Sequence, residues 1–444
     1  MSKESEEQLT AEKTLIKAIS GGDFQEVVNI VSTSDVNINC IDENGMSPLQ
    51  HAAYKGNLKM AKFFLDRGAN VNQNDHEHKY TALMFAALGG HTAVLNLLLE
   101  HGANIDAINS VGRNASQMAG FVGQQRSVAV INNFIPREAI EYFSKLNGVE
   151  KTPRLSVRFI HPVHAFVRLV NVNPVRILYF FNTNLALFEE PKMIHTVLEL
   201  ICEKLMRCSE PKEMLSLKVH YLNFIFWEVV QKAFSQSQKN VIHVADGSVC
   251  KKVAENILHT LAKSFLKLNA KGFPEGVERL LRQIVRSYPY QENAIFQQLV
   301  QTLSSVEIGD EPSALSILTQ AVIGKGQDSE TNICSTCGEL KPDKRCSKCK
   351  MVMYCDATCQ RLHWNSHKLS CDQLLAQYKR EQLMEEELKK KQAEEKEAKA
   401  KEAEALSEEA EKKESAETTT LDDQGDQNSK ENNEPNAQQA EVDS

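Results

Sequence analysis

Eight side chains that can bind transition metals lie close together near the C-terminal end of this 444-residue sequence. Seven are cysteines and one is a histidine, and they form four pairs with two, two, three and three intervening residues. The pairs are Cys334 and Cys337, Cys346 and Cys349, Cys355 and Cys359, and His367 and Cys371. Thiolate and imidazole are the donors that zinc selects in closed tetrahedral sites, so eight donors predict two zinc ions. His363, four residues before His367, is a rival ligand.

Zinc bound in this way is structural rather than catalytic. The segment 334–371 is only 38 residues long, and chains of this size rarely bury a self-sufficient core. Structural zinc contributes ~10–16 kcal/mol per site to the folding of finger peptides. Four protein ligands on each ion leave no position for a water or a substrate, which argues against metal-assisted hydrolysis.

The charge of the same segment disfavours nucleic acid as a ligand. Seven Lys and Arg residues oppose three acidic residues between positions 334 and 371, a net charge of +4. Seven thiolates and two zinc ions contribute −3, so a net charge of roughly +1 remains. This charge is too small to attract a phosphate backbone strongly.

The string of ligands, with Tyr354, Gln360 and Trp364 among them, resembles the MYND zinc finger. The resemblance implies interleaved sites, a pairing that the spacing alone leaves open. It assigns zinc 1 to Cys334, Cys337, Cys355 and Cys359, and zinc 2 to Cys346, Cys349, His367 and Cys371. MYND fingers commonly bind short proline-containing peptides, and Gln360 and Trp364 match positions beside that groove. The alternative for Trp364 is packing over the zinc sites.

The first third of the chain repeats itself. The segment from Asn44 aligns with the segment from His78 at a shift of 34, a third copy follows after 33, and weaker matches precede them. Paired alanines let two helices approach closely, and Gly68 and Gly102 end the second helix of each unit. These features resemble the ankyrin repeat, with about four units over 10–135, of which the first and last are degenerate caps.

Ankyrin stacks bind proteins on a concave surface. Tyr54, Leu88 and Phe121 follow the alanine positions and are candidates for that surface, with ordinary packing between repeats as the alternative. The histidine of the usual Thr-Pro-Leu-His opening is absent, as in Ser47-Pro48-Leu49-Gln50. His76 and His78 lie in a loop with one extra residue, which we interpret as a solvated finger loop rather than a metal site.

The rest of the chain is predicted to be helical and then disordered. Apolar residues recur at helical spacing after Pro191 and predict about six helices in a middle domain, 136–330, with a loop-rich connection before them. No phosphate-binding loop or nucleophile motif is visible there. Residues 372–444 carry 22 acidic and 11 basic residues. We expect a charged solvated helix over 372–415 and a disordered acidic tail over 416–444.

No signal peptide and no apolar run long enough for a bilayer are visible. We therefore expect an intracellular, cytoplasmic protein without membrane insertion and with a mainly α fold. The order of its parts resembles the ankyrin repeat and MYND domain-containing family, up to about residue 380. That resemblance implies a non-catalytic adaptor that helps deliver membrane cyclases to the primary cilium, alongside an FK506-binding protein.

Two other classes of function compete with the adaptor. MYND fingers occur in lysine methyltransferases, but no cofactor-binding sequence of that enzyme family flanks 334–371. A related arrangement of two interleaved zinc sites occurs in ubiquitin ligases. Other MYND proteins are transcriptional corepressors in the nucleus. The basic run at 389–391 lies among glutamates and is a poor localisation signal.

Overall fold

The computed structural model describes residues 3–146, 151–208, 210–239, 251–269, 272–323, 333–340 and 342–418. The chain divides into two compact units, Met1–Asp372 and Gln373–Ser444. The expected mainly α class is confirmed, since the strands within the described ranges are two short ones, β1 (Lys344–Arg345) and β2 (Met353–Tyr354). In the same ranges no helix is both long enough and apolar enough to cross a membrane.

Four helix pairs build the ankyrin stack at the N-terminal end. Their bounds are α1 (Lys3–Gly21), α2 (Phe24–Thr33), α3 (Pro48–Tyr54), α4 (Leu58–Asp66), α5 (Ala82–Leu88), α6 (Thr92–Glu100), α7 (Ala115–Phe121) and α8 (Gln125–Asn132). Polar side chains start them: Ser47, Thr81 and Asn114 each accept a hydrogen bond from the backbone N–H three residues on. Gly68 and Gly102 follow the outer helices with φ of 82° and 81°, so the predicted helix ends are confirmed.

The paired alanines lie in the core of this stack, as their spacing predicted. Ala52, Ala53, Ala86 and Ala87 are fully buried, because α3 packs on α5 and α5 on α7. Phe64 and Leu98 from the outer helices are fully buried in the same apolar cluster. Each repeat therefore buries its apolar face against its neighbours.

Gln50 occupies the position at which the repeat family usually carries histidine, and it links two repeats. Its Nε2 donates to the carbonyl oxygens of Gln73, at 2.9 Å, and Tyr80, at 2.8 Å. Its Oε1 accepts from the N–H of Ser47 at 2.7 Å, which completes a capping box on α3. The amide thus supplies hydrogen bonds to the next repeat without the missing imidazole.

Nine helices follow in the described part of the middle domain. Their bounds are α9 (Arg137–Glu141), α10 (Ile160–Val167), α11 (Pro174–Thr183), α12 (Pro191–Met206), α13 (Glu213–Lys239), α14 (Lys251–Phe265), α15 (Glu275–Arg286), α16 (Ala294–Ser304) and α17 (Ala314–Ile323). Short 3-10 turns lie at Tyr142–Ser144, Val157–Phe159 and Leu185–Phe188. Helices α12 to α17 correspond to the six that the sequence predicts.

The loop-rich connection before Pro191 is the part where the sequence interpretation was incomplete. It contains α9, α10 and α11. Pro174 occupies the first turn of α11, behind the cap of Asn173, so it starts that helix instead of interrupting it. Pro162 likewise lies in the first turn of α10, where a missing N–H costs no helical hydrogen bond.

The middle domain covers the last ankyrin repeat. The side-chain amide of Asn133 donates to the carbonyl oxygen of Val322 at 2.9 Å, and Nε2 of His164 donates to that of Ile135 at 2.8 Å. Arg168 binds Glu100 at 2.6 Å. Lys218 reaches the carbonyl oxygen of Asn133 at 3.4 Å while its own side chain is buried. The end of the stack is thus closed by other parts of the same unit.

The final helix, α18, spans Ala357–Thr418. It begins inside the predicted finger, so the predicted helix over 372–415 is the continuation of a helix that starts earlier. Residues 416–418 are its last turn, and the predicted disordered tail lies outside the described residues from position 419 on.

Candidate functional site

Two tight turns, the short hairpin and the start of α18 position the eight candidate ligands. Cys334 and Cys337 flank a turn closed by the N–H of Gly338, which donates to the carbonyl oxygen of Cys334 at 2.8 Å. Cys346 follows β1, and its N–H donates to Val352 across the hairpin at 2.9 Å. Cys349 lies in the turn between β1 and β2, Cys355 follows β2, and Cys359, His367 and Cys371 lie on α18. Hairpin and helix together bring distant pairs of the sequence to one place.

The eight side chains form two groups of four. Cys334, Cys337, Cys355 and Cys359 make the first group, and Cys346, Cys349, His367 and Cys371 make the second. Within each group the ligand atoms all lie within 4.8 Å of one another. These are the two interleaved sets that the finger resemblance implies. No other group of three or more potential ligands is found among the described residues.

The distances within the groups suit zinc. A tetrahedral site with Zn–S bonds of 2.3 Å places its sulfur atoms about 3.8 Å apart. The Sγ atom of Cys337 lies 3.6 Å from that of Cys355 and 3.8 Å from that of Cys359. Nε2 of His367 lies 3.3 Å from Sγ of Cys346 and 3.5 Å from Sγ of Cys349. Each group can therefore hold one zinc ion.

The thiols of the first group cannot all ionise on their own. Hydrogen bonds from Cys337 and Cys359 lower the pKa of Cys334, because they stabilise its thiolate. For Cys337 the effect is opposite: hydrogen bonds to Cys334 and Cys359, together with burial, raise its pKa. A divalent cation at the centre removes this conflict, because it stabilises all four thiolates together.

His363, the rival ligand, lies outside both groups. Its Nδ1 lies 3.2 Å from the hydroxyl of Tyr354, and its ring stacks on His367 at 5.8 Å between centroids. Burial, with a smaller contribution from His367, lowers the pKa of His363 to about 4. A neutral imidazole accepts the hydroxyl hydrogen of Tyr354. His363 therefore supports the packing beneath the second group.

The middle domain also contacts the finger. The hydroxyl oxygen of Tyr179, on α11, lies 3.7 Å from Sγ of Cys359 and donates a hydrogen bond to this sulfur in its thiolate form. The side-chain amide of Asn171 donates to the carbonyl oxygen of Cys337 at 3.0 Å. Arg176 binds Glu339 at 3.1 Å. The sequence carries no local signal for these partners, since they lie more than 150 positions from the finger.

Comparison with known proteins identifies both the repeats and the finger. Residues 15–109 match the model of ankyrin repeats, in three copies, and residues 334–371 match that of the MYND finger. Dauer abnormal formation protein 25 of Caenorhabditis elegans is 31% identical over 372 residues, which cover 81% of this chain and 90% of that protein. The chain belongs to the same ankyrin-repeat and MYND-finger family.

Other relatives of this ankyrin-repeat and MYND-finger protein match only in part. E3 ubiquitin-protein ligase hecd-1 of Caenorhabditis elegans is 33% identical over 107 residues, which are 24% of this chain and 4% of that protein. Human palmitoyltransferase ZDHHC17 is 41% identical over 88 residues, 20% of this chain and 13% of the enzyme. Matches of this extent indicate a shared module and carry no activity across.

The three candidate docking residues of the ankyrin repeats occupy equivalent positions. Tyr54, Leu88 and Phe121 are the last residues of α3, α5 and α7, the inner helices that pack side by side. Tyr54 is 53% exposed and Phe121 is 77% exposed, whereas Leu88 is half-buried. The guanidinium of Arg113 lies 4.7 Å from the centre of the Phe121 ring. The structure therefore presents two of the three side chains to solvent.

The loop histidines take part in an aromatic cluster. The ring of His76 stacks on Tyr80 at 5.1 Å between centroids and meets the edge of Phe85 at 5.2 Å. His78 is exposed and lies 5.6 Å from His76. Neither belongs to a group of three potential ligands within the described ranges. These contacts favour the finger-loop interpretation over a metal site.

In the finger, the two candidate groove residues lie one helical turn apart on α18. Gln360 is half-buried, and Trp364 is 45% exposed. The edge of the indole meets His367 at 6.1 Å between centroids. Trp364 thus covers part of the second group and still offers a face to solvent.

Proposed function

We propose that this chain is a non-catalytic adaptor that holds two protein ligands, one on its ankyrin repeats and one on its MYND finger. The observation that carries the proposal is that the middle domain bonds to both modules, through Val322 to Asn133 of the repeats and through Asn171 to Cys337 of the finger. Its working parts are the repeats (10–135), the middle domain (136–330), the finger (334–371), the charged helix (372–415) and the acidic tail (416–444).

In this proposal the zinc ions have a structural role. Zinc 1 is held by Cys334, Cys337, Cys355 and Cys359, and zinc 2 by Cys346, Cys349, His367 and Cys371. Four protein donors saturate each tetrahedral ion, so neither has a position for an activated water. The metal fixes the hairpin against α18 and thereby builds the finger surface.

The ankyrin partner is proposed to contact the row of Tyr54, Leu88 and Phe121. Exposed aromatic side chains in a row are typical of binding surfaces, because they bury much area at low entropic cost. Replacing Tyr54 and Phe121 together by alanine is expected to weaken partner capture about tenfold or more, with an unchanged melting temperature. Capture equal to that of the wild-type protein would remove this surface from the proposal.

The finger partner is proposed to be a short proline-containing peptide that contacts Gln360 and Trp364. Binding should shift the fluorescence of Trp364, since its exposed face would lose contact with water. A Trp364→Phe variant reports whether the signal comes from this indole rather than from Trp227. A peptide panel that leaves the fluorescence of the wild-type protein unchanged would contradict the assignment.

The cellular part of the proposal rests on the resemblance to the family. We propose a cytoplasmic protein, associated with the primary cilium, that helps deliver membrane cyclases together with an FK506-binding protein. Proximity labelling in ciliated cells tests it, with a Cys355→Ser/Cys359→Ser variant beside the wild-type protein. The wild-type protein should label membrane cyclases and the FK506-binding protein. The variant should no longer label whichever partner binds the finger. Nuclear accumulation, or ubiquitin discharge in a reconstituted assay, would favour a corepressor or a ligase factor instead.

A further inference from the structure

Two helical stretches of the larger unit contain basic residues and no acidic residue. They are residues 256–269, in and after α14, and residues 357–371, at the start of α18. The exposed cations and potential cations on them are His259, Lys263, Lys267, Arg361 and Lys368. The finger as a whole is nearly neutral once its thiolates are counted. Its two basic side chains on α18, Arg361 and Lys368, nevertheless lie on the same side of that helix.

These two stretches meet at a hydrogen bond. The hydroxyl of Ser366, on α18, donates a hydrogen bond to the carbonyl oxygen of Leu266, directly after α14. Further back along both helices, Arg361 and His259 are near enough to interact electrostatically. Burial, followed by the positive charges of Lys263 and Arg361, lowers the pKa of His259. The finger and α14 thus contribute basic side chains to one region of the surface.

Trp364 is exposed near the start of α18. Arg361 is three residues before it and Lys368 four residues after it, which places both cations on the same helix face as the indole. Leu369, also exposed at 74%, lies beside Lys368. The face therefore combines one exposed aromatic ring with cations on both sides.

The cations of this face lack carboxylate partners within the described part of the chain. Among the described residues, the ion pairs at the finger join Lys348 to Asp372 and Arg176 to Glu339. Arg361 contacts the hydroxyl of Thr358 at 3.5 Å, a neutral group. Positive charges around an apolar side chain, without ion-pair partners among the described residues, are complementary to an acidic ligand.

We propose that Trp364, Arg361 and Lys368 of the finger, with His259 and Lys263 of α14, form one composite surface that binds an acidic linear segment of a partner protein. An apolar side chain of the segment packs on Trp364, and its carboxylates pair with the flanking cations. This inference rests on the proposed peptide binding by the finger and adds the charge of the partner and the contribution of the middle domain.

A protein segment fits this surface better than a nucleic acid or a membrane does. The surface has few cations, while phosphate backbones are usually held by about 6–10 contacts. Trp364 and Leu369 are too little apolar area for insertion into a bilayer, which takes a long apolar helix face. Short peptides, in contrast, need one anchor residue and a few well-placed charges.

Fluorescence anisotropy on the full zinc-loaded chain tests the inference. The probes are three labelled synthetic peptides with the same proline–leucine–proline core, flanked by glutamates, by serines or by lysines. We expect the glutamate-flanked peptide to bind about tenfold more tightly than the serine-flanked one and to lose this advantage at high salt. Single-stranded polyuridine and phosphatidylserine vesicles are included as competing ligands.

The decisive variant is Lys263→Glu, because this exposed residue lies outside the finger and leaves the zinc sites intact. It should weaken the glutamate-flanked peptide about fivefold to tenfold. The double variant with Arg361→Glu should weaken it further. Lys192→Glu reverses an exposed lysine elsewhere in the middle domain, on α12, and should have no effect.

Several outcomes would overturn the inference. If the Lys263→Glu variant binds the glutamate-flanked peptide as tightly as the wild-type protein does, and all three peptides bind equally, the inference fails. The finger would then bind peptides without a preference for acidic ones. Preferential binding of polyuridine or of the vesicles through the same residues would assign the surface to another ligand. If no peptide binds the zinc-loaded chain, the inference fails, and partner capture by the ankyrin repeats separately decides whether the chain is an adaptor.

Discussion

The hydroxyl oxygen of Tyr179 lies 3.7 Å from Sγ of Cys359, 180 positions later in the sequence, and donates a hydrogen bond to this sulfur in its thiolate form. Tyr179 belongs to the middle domain and Cys359 to the first group of zinc ligands. Burial and the neighbouring thiols raise the pKa of Tyr179, so its hydroxyl remains a donor at neutral pH. The finger is therefore completed by a side chain from outside its own sequence.

Replacing Tyr179 by phenylalanine removes this donor and keeps the ring. Outer hydrogen bonds to ligand atoms hold the ligand in position, and their loss typically weakens metal binding about tenfold or more. We expect Tyr179→Phe to release zinc faster, on the order of tenfold, when a chromogenic chelator competes for it. Tyr80→Phe, which removes a hydroxyl in the ankyrin repeats, is the matched control. Equal release rates in all three proteins would show that Tyr179 has no influence on the site.

Gln50 and Gln117 provide a matched pair in the ankyrin repeats. Both accept a hydrogen bond from the N–H of their cap residue, but only Gln50 is buried and donates to two carbonyl oxygens near the next repeat. We expect Gln50→Ala to destabilise the protein by about 2–3 kcal/mol, because it leaves buried carbonyls unpaired. Gln117→Ala should cost about 0.5–1 kcal/mol. Equal losses in chemical denaturation would refute the linking role of Gln50.

Lys218 makes the junction between repeats and middle domain sensitive to pH. Burial, with a smaller contribution from Arg168, lowers the pKa of Lys218 to about 7, while a lysine in the unfolded chain titrates near 10.4. Between these values the unfolded state binds more protons, so this residue makes stability rise with pH from about 7 to about 10. Below pH 7 the folded chain carries the full cost of a buried ammonium group.

A Lys218→Met variant should therefore be more stable than the wild-type protein at pH 7, by roughly 2–4 kcal/mol. The difference between the two proteins should shrink as the pH rises toward 10. Denaturation at several pH values measures it, and comparison of the two proteins cancels the pH dependence of the zinc ligands. Lys192→Met, at an exposed position, should follow the wild-type curve. A constant difference across this range would mean that Lys218 is charged in the folded protein.

The repeats and the ligand groups could be predicted because their signals are local and periodic. Gly68 and Gly102 repeat at a shift of 34 and recur in the structure with the same positive φ. The spacing of the eight ligands predicted two groups of four, but the interleaved pairing came from family resemblance. Only the fold, in which the N–H of Ser335 bonds to the carbonyl oxygen of Met353 in β2, brings Cys337 beside Cys355.

The contacts of the middle domain could not be predicted in the same way. The segment of α11 reads as a short apolar run after a proline, which a loop or a helix would both explain. That Tyr179 faces Cys359, or that Leu266 meets Ser366, depends on how distant helices pack. Contacts across 100 positions or more leave no periodic trace in a single sequence.

The zinc content of the purified chain tests the central claim most directly. Mass spectrometry of the metal, on protein prepared without chelators, should find two zinc ions per chain. Cys337→Ser and Cys349→Ser should each lower this number, because each removes one ligand from a different group, whereas Cys40→Ser, in the ankyrin repeats, should keep both ions. Well under two equivalents in the wild-type protein, or full zinc content in both finger variants, would contradict the account.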